Sequence, residues 1–314
     1  MLNFIVQEGE NDQTMISFLK RRFKTIPLSL IYKLFRTKKI KVDGKSIRYY
    51  HYRLKSGEKI EIYDNHLKKA NSTIYPLSQS KVYFEVIYED KNVLIVFKEH
   101  GITMPSLDNS VRNYLFQKDP VEYQKQTEEF FVVTAVHRLD KVTKGLVIYP
   151  KNSVARRVLY RAIADKTQIT KKYLTLCEGF SKKPLPNYVS GYLKKDSREQ
   201  KMVFTLKNPD LEAKYCALEI KKIIQKKVFF NLFQKITSEY RNSVLLEVTL
   251  HTGRKHQIRS ILSFFGMPII GDKKYGSKIE IKDKICLFAY KIIFNNLPLP
   301  LSYLNGKEFE IKKI

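Results

Sequence analysis

Apolar and polar positions follow two different periods in the first 65 residues. Apolar side chains recur at helical spacing after Thr14, and a second helix is predicted to begin at Ser29, a good N-cap. Residues 39–45 and 59–63 alternate between apolar and polar, which predicts short strands, the first closed by an Asp-Gly turn. We therefore expect a compact α+β domain over residues 1–66.

The pattern changes beyond this domain. Residues 67–80 lack periodicity and hold Asn, Ser, Thr and Pro, as a linker does. From residue 81 the pattern is dominated by strands, with one clear helix at Ser153 to Ala164, and we expect a larger α+β domain over 81–314. Its predicted strands are 82–88, 93–97, 130–136, 146–149 and 244–250. A Lys-rich insertion at 221–241 suits either a helix or a hairpin.

The charge balance indicates a polyanionic partner. The chain has 58 Lys and Arg against 31 Asp and Glu, a net charge of +27, and both predicted domains share the excess. An AT-rich genome would favour Lys over Arg and explain the absence of Trp, but it would not remove acidic residues. Nucleic acid is the favoured partner, with a membrane surface or mere solubility as the alternatives.

Cysteine usage and the start of the chain indicate a cytoplasmic protein. The three cysteines, Cys177, Cys216 and Cys286, lie far apart and favour neither a disulfide framework nor a zinc site. The first residues do not resemble a signal peptide, and no apolar run is long enough to span a membrane. We expect no membrane partner.

The sequence lacks the motifs typical of nucleotide-driven and metal-driven reactions. Gly44-Lys45-Ser46 is similar to the end of a P-loop but lacks the earlier glycine. His251 and His256 are five residues apart, so they do not share a helical face as two metal ligands would. We expect neither a nucleotide-driven nor a metal-driven reaction.

Two polar segments remain as candidates for chemistry. Asp140 stands in a loop between predicted strands, flanked by Arg138 and Lys141, and these cations favour its ionised form. By itself, a lone loop aspartate is more often structural than catalytic. The second segment, 251–259, is rich in cations that could meet RNA phosphates and the Asp140 carboxylate.

A third cluster lies in the N-terminal domain. Basic residues at the junction of its helices and strands form a cationic edge suited to phosphate contacts. These are Lys33, Arg36, Lys38 and Lys39. A solvated helix face explains them equally well.

Two long motifs resemble one enzyme family. HRLDKVTKG, from His137 to Gly145, closely resembles the HRLD motif of RluA-type pseudouridine synthases, and TGRKHQIRSILSFFGMPIIGDKKYG, from Thr252 to Gly276, resembles their second motif. The first 65 residues resemble the RNA-binding domain of ribosomal protein S-four type that precedes the catalytic domain in members acting on large-subunit ribosomal RNA. The resemblance implies a strand-rich catalytic domain with a mixed or antiparallel sheet.

The implied activity is the conversion of uridine to pseudouridine in RNA, without cofactor or metal. Asp140 matches the family's catalytic aspartate, which attacks the ribose or the base or abstracts a ribose proton. Arg259 matches the arginine that ion-pairs with it, and Tyr173 matches the tyrosine that stacks on the target base. One carboxylate can suffice, because the uracil that leaves the sugar is also the nucleophile that returns.

Other residues are expected to contact RNA. A structured uridine must first be extruded, and Arg138 is placed to fill the vacated stack. Arg254, Lys255 and His256 are expected to bind phosphates together with the cationic edge. The expected substrate is 23S ribosomal RNA, bound by a monomer. The alternatives are an RNA-binding or ribosome-assembly factor and a synthase that acts on transfer RNA.

The chain departs from the family pattern near the expected site. Lys144, Glu99 and Lys255 stand where relatives usually have Ser, Pro and Thr. None of these changes removes a proposed catalytic group. The two lysines place extra cations beside the site, so the substrate preference need not follow that of relatives.

Overall fold

The computed structural model describes most of the chain, in eight stretches. These are residues 1–23, 28–64, 83–123, 131–165, 167–179, 184–223, 243–281 and 284–311. The described residues divide into two compact units, 1–64 and 83–311. The linker predicted at 67–80 lies outside the described residues, as does the predicted insertion beyond residue 223.

The N-terminal unit contains two helices and a four-stranded sheet. Its elements are β1 (Leu2–Ile5), α1 (Met15–Arg22), α2 (Leu28–Arg36), β2 (Ile40–Val42), β3 (Lys45–Ser46) and β4 (Lys59–Ile62). The strand order is β1-β4-β2-β3, and all pairs are antiparallel.

Local sequence explains these elements. The Thr14 hydroxyl accepts a hydrogen bond from the Ser17 amide and caps α1, so one otherwise unpaired helix donor is satisfied. The apolar faces of both helices contribute to a core that is shared with β2 and β4. Ser29 does not cap α2 as expected, because it already lies within the first turn of that helix.

The larger unit is built on one sheet. Its strands are β5 (Phe84–Glu89), β6 (Val93–Lys98), β7 (Lys144–Pro150), β8 (Ile169–Glu178), β9 (Tyr188–Asp196), β10 (Lys201–Thr205), β11 (Lys214–Lys222), β12 (Ser243–Leu250), β13 (Leu287–Phe294) and β14 (Glu308–Glu310). Its helices are α3 (Met104–Lys118), α4 (Ser153–Asp165) and α5 (Gln257–Phe264).

The sheet is mixed but mostly antiparallel. Its order is β10-β9-β11-β12-β8-β13-β7-β6-β5, and β14 pairs with β13. Among the described strands, only β13 and β7 pair in parallel. The expectation of an α+β protein with a strand-rich sheet is confirmed. One apolar cluster packs α3 and α5 against the sheet, and a second surrounds α4.

Two elements differ from the expectation. The described part of the predicted strand 130–136 is not a strand, although its Val136 amide donates one hydrogen bond to the Ile148 carbonyl. It is nevertheless partly buried, which explains its apolar composition. Helix α3 was not foreseen, because it buries the polar residues Ser110 and Asn113 and so weakens the helical pattern.

Within the described stretches, no helix is both long enough and apolar enough to cross a bilayer.

Candidate active site

Parts of both family-like sequence motifs line one cleft of the larger unit. The cleft has a volume of about 490 Å³ and is lined by residues 135–140, 250–259 and one face of β8. Ile169, Lys171 and Tyr173 reach it from β8 because alternate residues of a strand point to the same side. The fold therefore joins segments that are more than a hundred residues apart in sequence.

Asp140 lies in this cleft and is held by Arg259. The Arg259 Nη1 donates to Asp140 Oδ2 at 3.2 Å, while Nε and Nη2 donate to Asp272 at 2.6 and 2.8 Å. Asp272 is almost fully buried, whereas Asp140 retains some exposure to the cleft. The guanidinium thus links a buried carboxylate to a reachable one, and it fixes the position of the reachable one.

The protonation of Arg259 is secured by its partners. Burial disfavours its charge, but the hydrogen bonds and charges of Asp272 and Asp140 outweigh burial and raise its pKa. The Tyr275 ring adds a further contact, with its centroid 4.9 Å from the guanidinium carbon. The side chain is a permanent cation in a fixed orientation.

The loop before α5 is fixed by Gln257. The Gln257 Oε1 accepts from the Thr252 hydroxyl at 2.7 Å and the Arg254 amide at 3.0 Å, and Nε2 donates to the Ala217 carbonyl. His256 precedes the helix with a left-handed backbone, φ 53°. These bonds place Arg259 on the first turn of α5, where it reaches Asp140.

His256 also faces Asp140 but is neutral. Its Nε2 is 3.6 Å from Asp140 Oδ2, and its Nδ1 is 2.9 Å from the Tyr275 hydroxyl. Burial lowers the pKa of His256 to about 4; the Asp140 charge opposes this, and the nearby cation of Arg259 adds to it. A Tyr275 hydroxyl that donates to Nδ1 leaves the ring proton on Nε2, toward the carboxylate.

Tyr173 stands on β8 against the same cleft. It is paired with Val248 of β12 and Ala289 of β13, so its backbone is central in the sheet. Burial raises the pKa of its hydroxyl, and the Asp140 charge raises it further. The phenol is therefore neutral, and Asp140 is near enough to influence it.

Comparison with known proteins identifies the group to which this cleft belongs. The family model described as RNA pseudouridylate synthase matches residues 92–264. This range contains the whole first motif and the second motif as far as the end of α5. The chain belongs to this family. It is therefore an isomerase that acts on RNA and converts uridine to pseudouridine, and its similarity to the RluA type is confirmed.

Individual relatives agree with this assignment. An uncharacterized RNA pseudouridine synthase of Mycoplasma capricolum is 39% identical over 98% of this chain and 96% of its own length. The ribosomal large subunit pseudouridine synthase C of Buchnera aphidicola is 30% identical over 84% of this chain and 77% of its own. The protein of that name from Rickettsia felis is 28% identical over 94% and 90%.

The loop that carries Asp140 rests on a buried lysine of the synthase. The Lys98 ammonium is fully buried and donates to the carbonyls of Glu99, Ile102 and Lys141 at 3.0, 3.0 and 3.3 Å. Burial lowers its pKa to about 8, although the Asp140 charge counteracts this. One side chain thus ties the end of β6 to the loop that carries Asp140.

His137 supports the loop from its other end. Its Nε2 accepts from the Ile148 amide at 3.2 Å, so the ring proton is on Nδ1, and burial lowers the pKa of His137 to about 3. Nδ1 is buried and has no hydrogen-bond partner among the described residues. A neutral histidine at this position anchors the loop to β7 without adding charge.

Gly145 ends the motif at a place where only glycine fits. Its φ is +136°, and a Cβ there would collide with the backbone of Ala289 on β13. This is the point where β7 and β13 pair in parallel. The glycine lets the two strands meet just beyond the loop that carries Asp140.

The rim of the cleft is cationic. Arg138, Arg254 and Lys255 line it and are exposed, as an RNA-binding role would require. Lys144 does not add a free cation there, because it pairs with Glu99 at 3.1 Å. Two of the departures from the family pattern therefore form an ion pair, and together they add no net charge beside the site.

The predicted basic residues of the N-terminal unit divide into two groups. Lys33, Arg36 and Lys38 are exposed. Lys39 instead donates to the nearly buried Asp64 at 2.8 Å. That ion pair gives Lys39 a structural role.

The sequence predicted Asp140, Arg259 and Tyr173 as members of one site. It did not predict that Asp272 and Lys98 support that site. Asp272 stands in the second motif, in the GD pair, and that position was the only signal for it. The partner of a buried arginine cannot be read from spacing, because it depends on how α5 packs.

Proposed function

We propose that this synthase modifies uridines of the large-subunit ribosomal RNA, with Asp140 as its catalytic carboxylate. The observation that carries the proposal is the contact of Arg259 with Asp140 at the floor of an open cleft. Two relatives that align with most of the chain are named as large-subunit synthases. Neither a pure binding factor nor a transfer RNA enzyme has comparable support.

The reaction is a rearrangement within one nucleotide. The N1–C1′ bond of uridine breaks, a C5–C1′ bond forms, the proton on C5 leaves and N1 gains a proton. Mass is conserved, and no second substrate enters. A single carboxylate can assist both bond changes, whether it attacks the ribose or the base or takes a ribose proton.

Two neighbours prepare Asp140 for this role. Arg259 keeps the carboxylate oriented toward the cleft, with its own position set by Asp272. His256 presents a neutral ring 3.6 Å from the carboxylate, so it orients Asp140 without competing for its charge. Such preorganisation lowers the cost of reaching the transition state.

Tyr173 is the proposed surface for the target base. Its ring lines the cleft beside Asp140, and a neutral phenol can stack on uracil. Because the phenol is neutral, its hydroxyl can assist removal of the C5 proton only as a relay that passes its own proton on.

The uridine must leave its stack to reach this depth. Extrusion costs a few kcal/mol, which is lower for an unpaired base. Arg138, exposed at the rim, is proposed to fill the vacated space, and the exposed Arg254 and Lys255 to bind flanking phosphates. His256 was expected to bind phosphate as well, but its neutral ring faces Asp140 instead. Phosphate contacts of this kind give an affinity that falls steeply with salt.

The N-terminal unit is proposed to be the S-four-type RNA-binding domain, with the cationic edge as its phosphate-binding surface. Lys33, Arg36 and Lys38 are exposed and support this assignment. The protein is proposed to act as a monomer in the cytoplasm, and its three buried free cysteines suit a reducing compartment.

Mapping pseudouridines in a deletion strain tests the substrate. We expect specific sites to disappear from large-subunit ribosomal RNA, while transfer RNA is unchanged. A plasmid copy should restore them, and an Asp140→Asn copy should not. Loss of sites from transfer RNA alone would contradict the proposal.

A further inference from the structure

The N-terminal unit carries an exposed aromatic cluster, formed by Tyr32, Tyr49, Tyr50 and His51. The Tyr50 ring is central: its centroid is 5.4 Å from that of Tyr32, 6.1 Å from that of Tyr49 and 4.4 Å from that of His51. Tyr49 also contacts His51 at 5.7 Å. All four side chains are exposed.

The cluster is not needed by the core of the unit. That core is formed by buried apolar side chains of both helices and the sheet, and none of the four aromatic residues belongs to it. Tyr50 touches it through one edge contact with the buried Phe35, at 6.3 Å. Leaving large aromatic surfaces in water is unfavourable, so their clustering at one place indicates a surface that binds something.

The backbone beneath the rings is held in place. The Tyr50 carbonyl accepts from the Ile16 amide at 3.0 Å, and the Tyr52 carbonyl accepts from the Met15 amide at 2.7 Å. The Tyr52 amide in turn donates to the Tyr49 carbonyl at 3.1 Å. Because the loop is tied to the start of α1, the rings lose little freedom when a ligand binds.

The two segments that carry the cluster are cationic in sequence. Arg48 directly precedes Tyr49, and Arg36 lies one helical turn from Tyr32 on α2; both are exposed. No acidic residue occurs in the sequence from 14 to 42 or from 44 to 57. An aromatic surface in such a setting suits a ligand that has both flat rings and negative charge.

We infer that the cluster of Tyr32, Tyr49, Tyr50 and His51 is a stacking site for unpaired RNA bases. Unpaired bases stack on exposed aromatic rings, while neighbouring arginines bind the phosphates. A duplex keeps its bases inside and offers this surface only its backbone. The inference depends on the proposed function in one respect, that RNA is the ligand. It adds that the N-terminal unit selects single-stranded segments of that RNA.

Binding of two short RNAs to the full-length protein tests this inference. One probe is an unstructured 15-nucleotide strand of A and C that carries one 2-aminopurine, and the other is a 15-base-pair duplex of G and C. Neither probe contains uridine, so the enzyme cannot modify it and the measurement reports binding alone. We expect the wild type to bind the strand and to quench the 2-aminopurine fluorescence by stacking.

Substitutions then separate stacking from charge. Tyr49→Ala and Tyr50→Ala should each weaken strand binding about fivefold or more and reduce quenching, whereas duplex binding should change less than about twofold. Tyr50→Phe keeps the ring and should bind as the wild type does. Tyr63→Ala is the matched control, because Tyr63 is 39% exposed against 38% for Tyr50 and touches only Lys41 among the ring contacts described.

Several results would overturn the inference. These are unquenched fluorescence in the wild type, unchanged strand affinity in both alanine variants, or an equal loss for strand and duplex. Thermal unfolding shows whether Tyr50→Ala has folded; Tyr49, at 63% exposure, is the safer position if it has not. A failure of the proposed function would instead show as unmodified ribosomal RNA with intact strand binding.

Discussion

Replacing Arg259 with lysine keeps the positive charge at the site but removes the planar, forked guanidinium and its several N–H donors. The guanidinium uses three nitrogens, two on Asp272 and one on Asp140. An ammonium is a compact point charge and lacks the planar fork with which the guanidinium holds both carboxylates at once. Because Asp272 is 1% exposed, the lysine should stay with that buried charge and leave Asp140 without its partner.

The magnitude follows from the lost hydrogen bond. A hydrogen bond between charged groups contributes about 1.5–3 kcal/mol. Since about 1.4 kcal/mol corresponds to a factor of ten in rate, Arg259→Lys should slow pseudouridine formation about ten- to a hundredfold. The loss of one bond to Asp272 should also lower the free energy of unfolding by about 1.5–3 kcal/mol.

Single-turnover pseudouridine formation, with enzyme in saturating excess over RNA, is the assay, and thermal unfolding and RNA affinity are measured alongside. Arg198→Lys makes the same chemical change at an exposed position outside the cleft and should leave the rate unchanged. The reasoning is refuted if Arg259→Lys retains the wild-type rate within about twofold, or if its whole effect is on RNA affinity.

Four further predictions concern the surroundings of Asp140. Gly145→Ala should lower the free energy of unfolding by at least about 1–3 kcal/mol, because its Cβ collides with the backbone of Ala289; unchanged thermal stability would contradict this. The rate of the wild type should be flat from about pH 5.5 to 7, because the pKa of His256 is lowered to about 4 and that of Lys98 only to about 8, so both groups keep their protonation state in this range; a break near pH 6.5 would show an ordinary histidine. The same lowered pKa means that His256 costs stability as pH falls from 6.5 toward 4, where only the unfolded chain takes up the proton, and His256→Gln should lose less stability over that range. A double-mutant cycle of Glu99→Ala and Lys144→Ala should give a coupling of at most about 1 kcal/mol, because Glu99 is half exposed; a larger value would show that the pair is more than a surface contact.

The sequence predicted the helices and strands whose local pattern of apolar and polar residues is clear. Helices α1 and α4 carry clear amphipathic patterns, and β6 and β7 carry continuous apolar runs. Helix α3 was missed because tertiary packing buries its polar residues. The segment 131–136 was misread because burial selects apolar residues whether or not a segment pairs with a neighbour.

The candidate site was predictable to a similar extent. The two motifs supplied Asp140 and Arg259, the wider resemblance to the family supplied Tyr173, and the structure places all three around one cleft. The buried partner Asp272 and the loop support of Lys98 required coordinates, because both act through contacts between distant segments. The pairing of Lys144 with Glu99 also joins two separate segments, so the sequence alone counted the lysine as a free cation.

The central claim is that Asp140 performs the chemistry, and Asp140→Asn tests it most directly. Asparagine keeps the shape of the side chain but removes its charge. Purified wild type and variant are incubated with large-subunit ribosomal RNA that lacks pseudouridine, and pseudouridine is measured by mass spectrometry of nucleosides after chemical labelling. We predict that the variant binds this RNA as tightly as the wild type does and forms no pseudouridine, whereas turnover at the wild-type rate would contradict the claim.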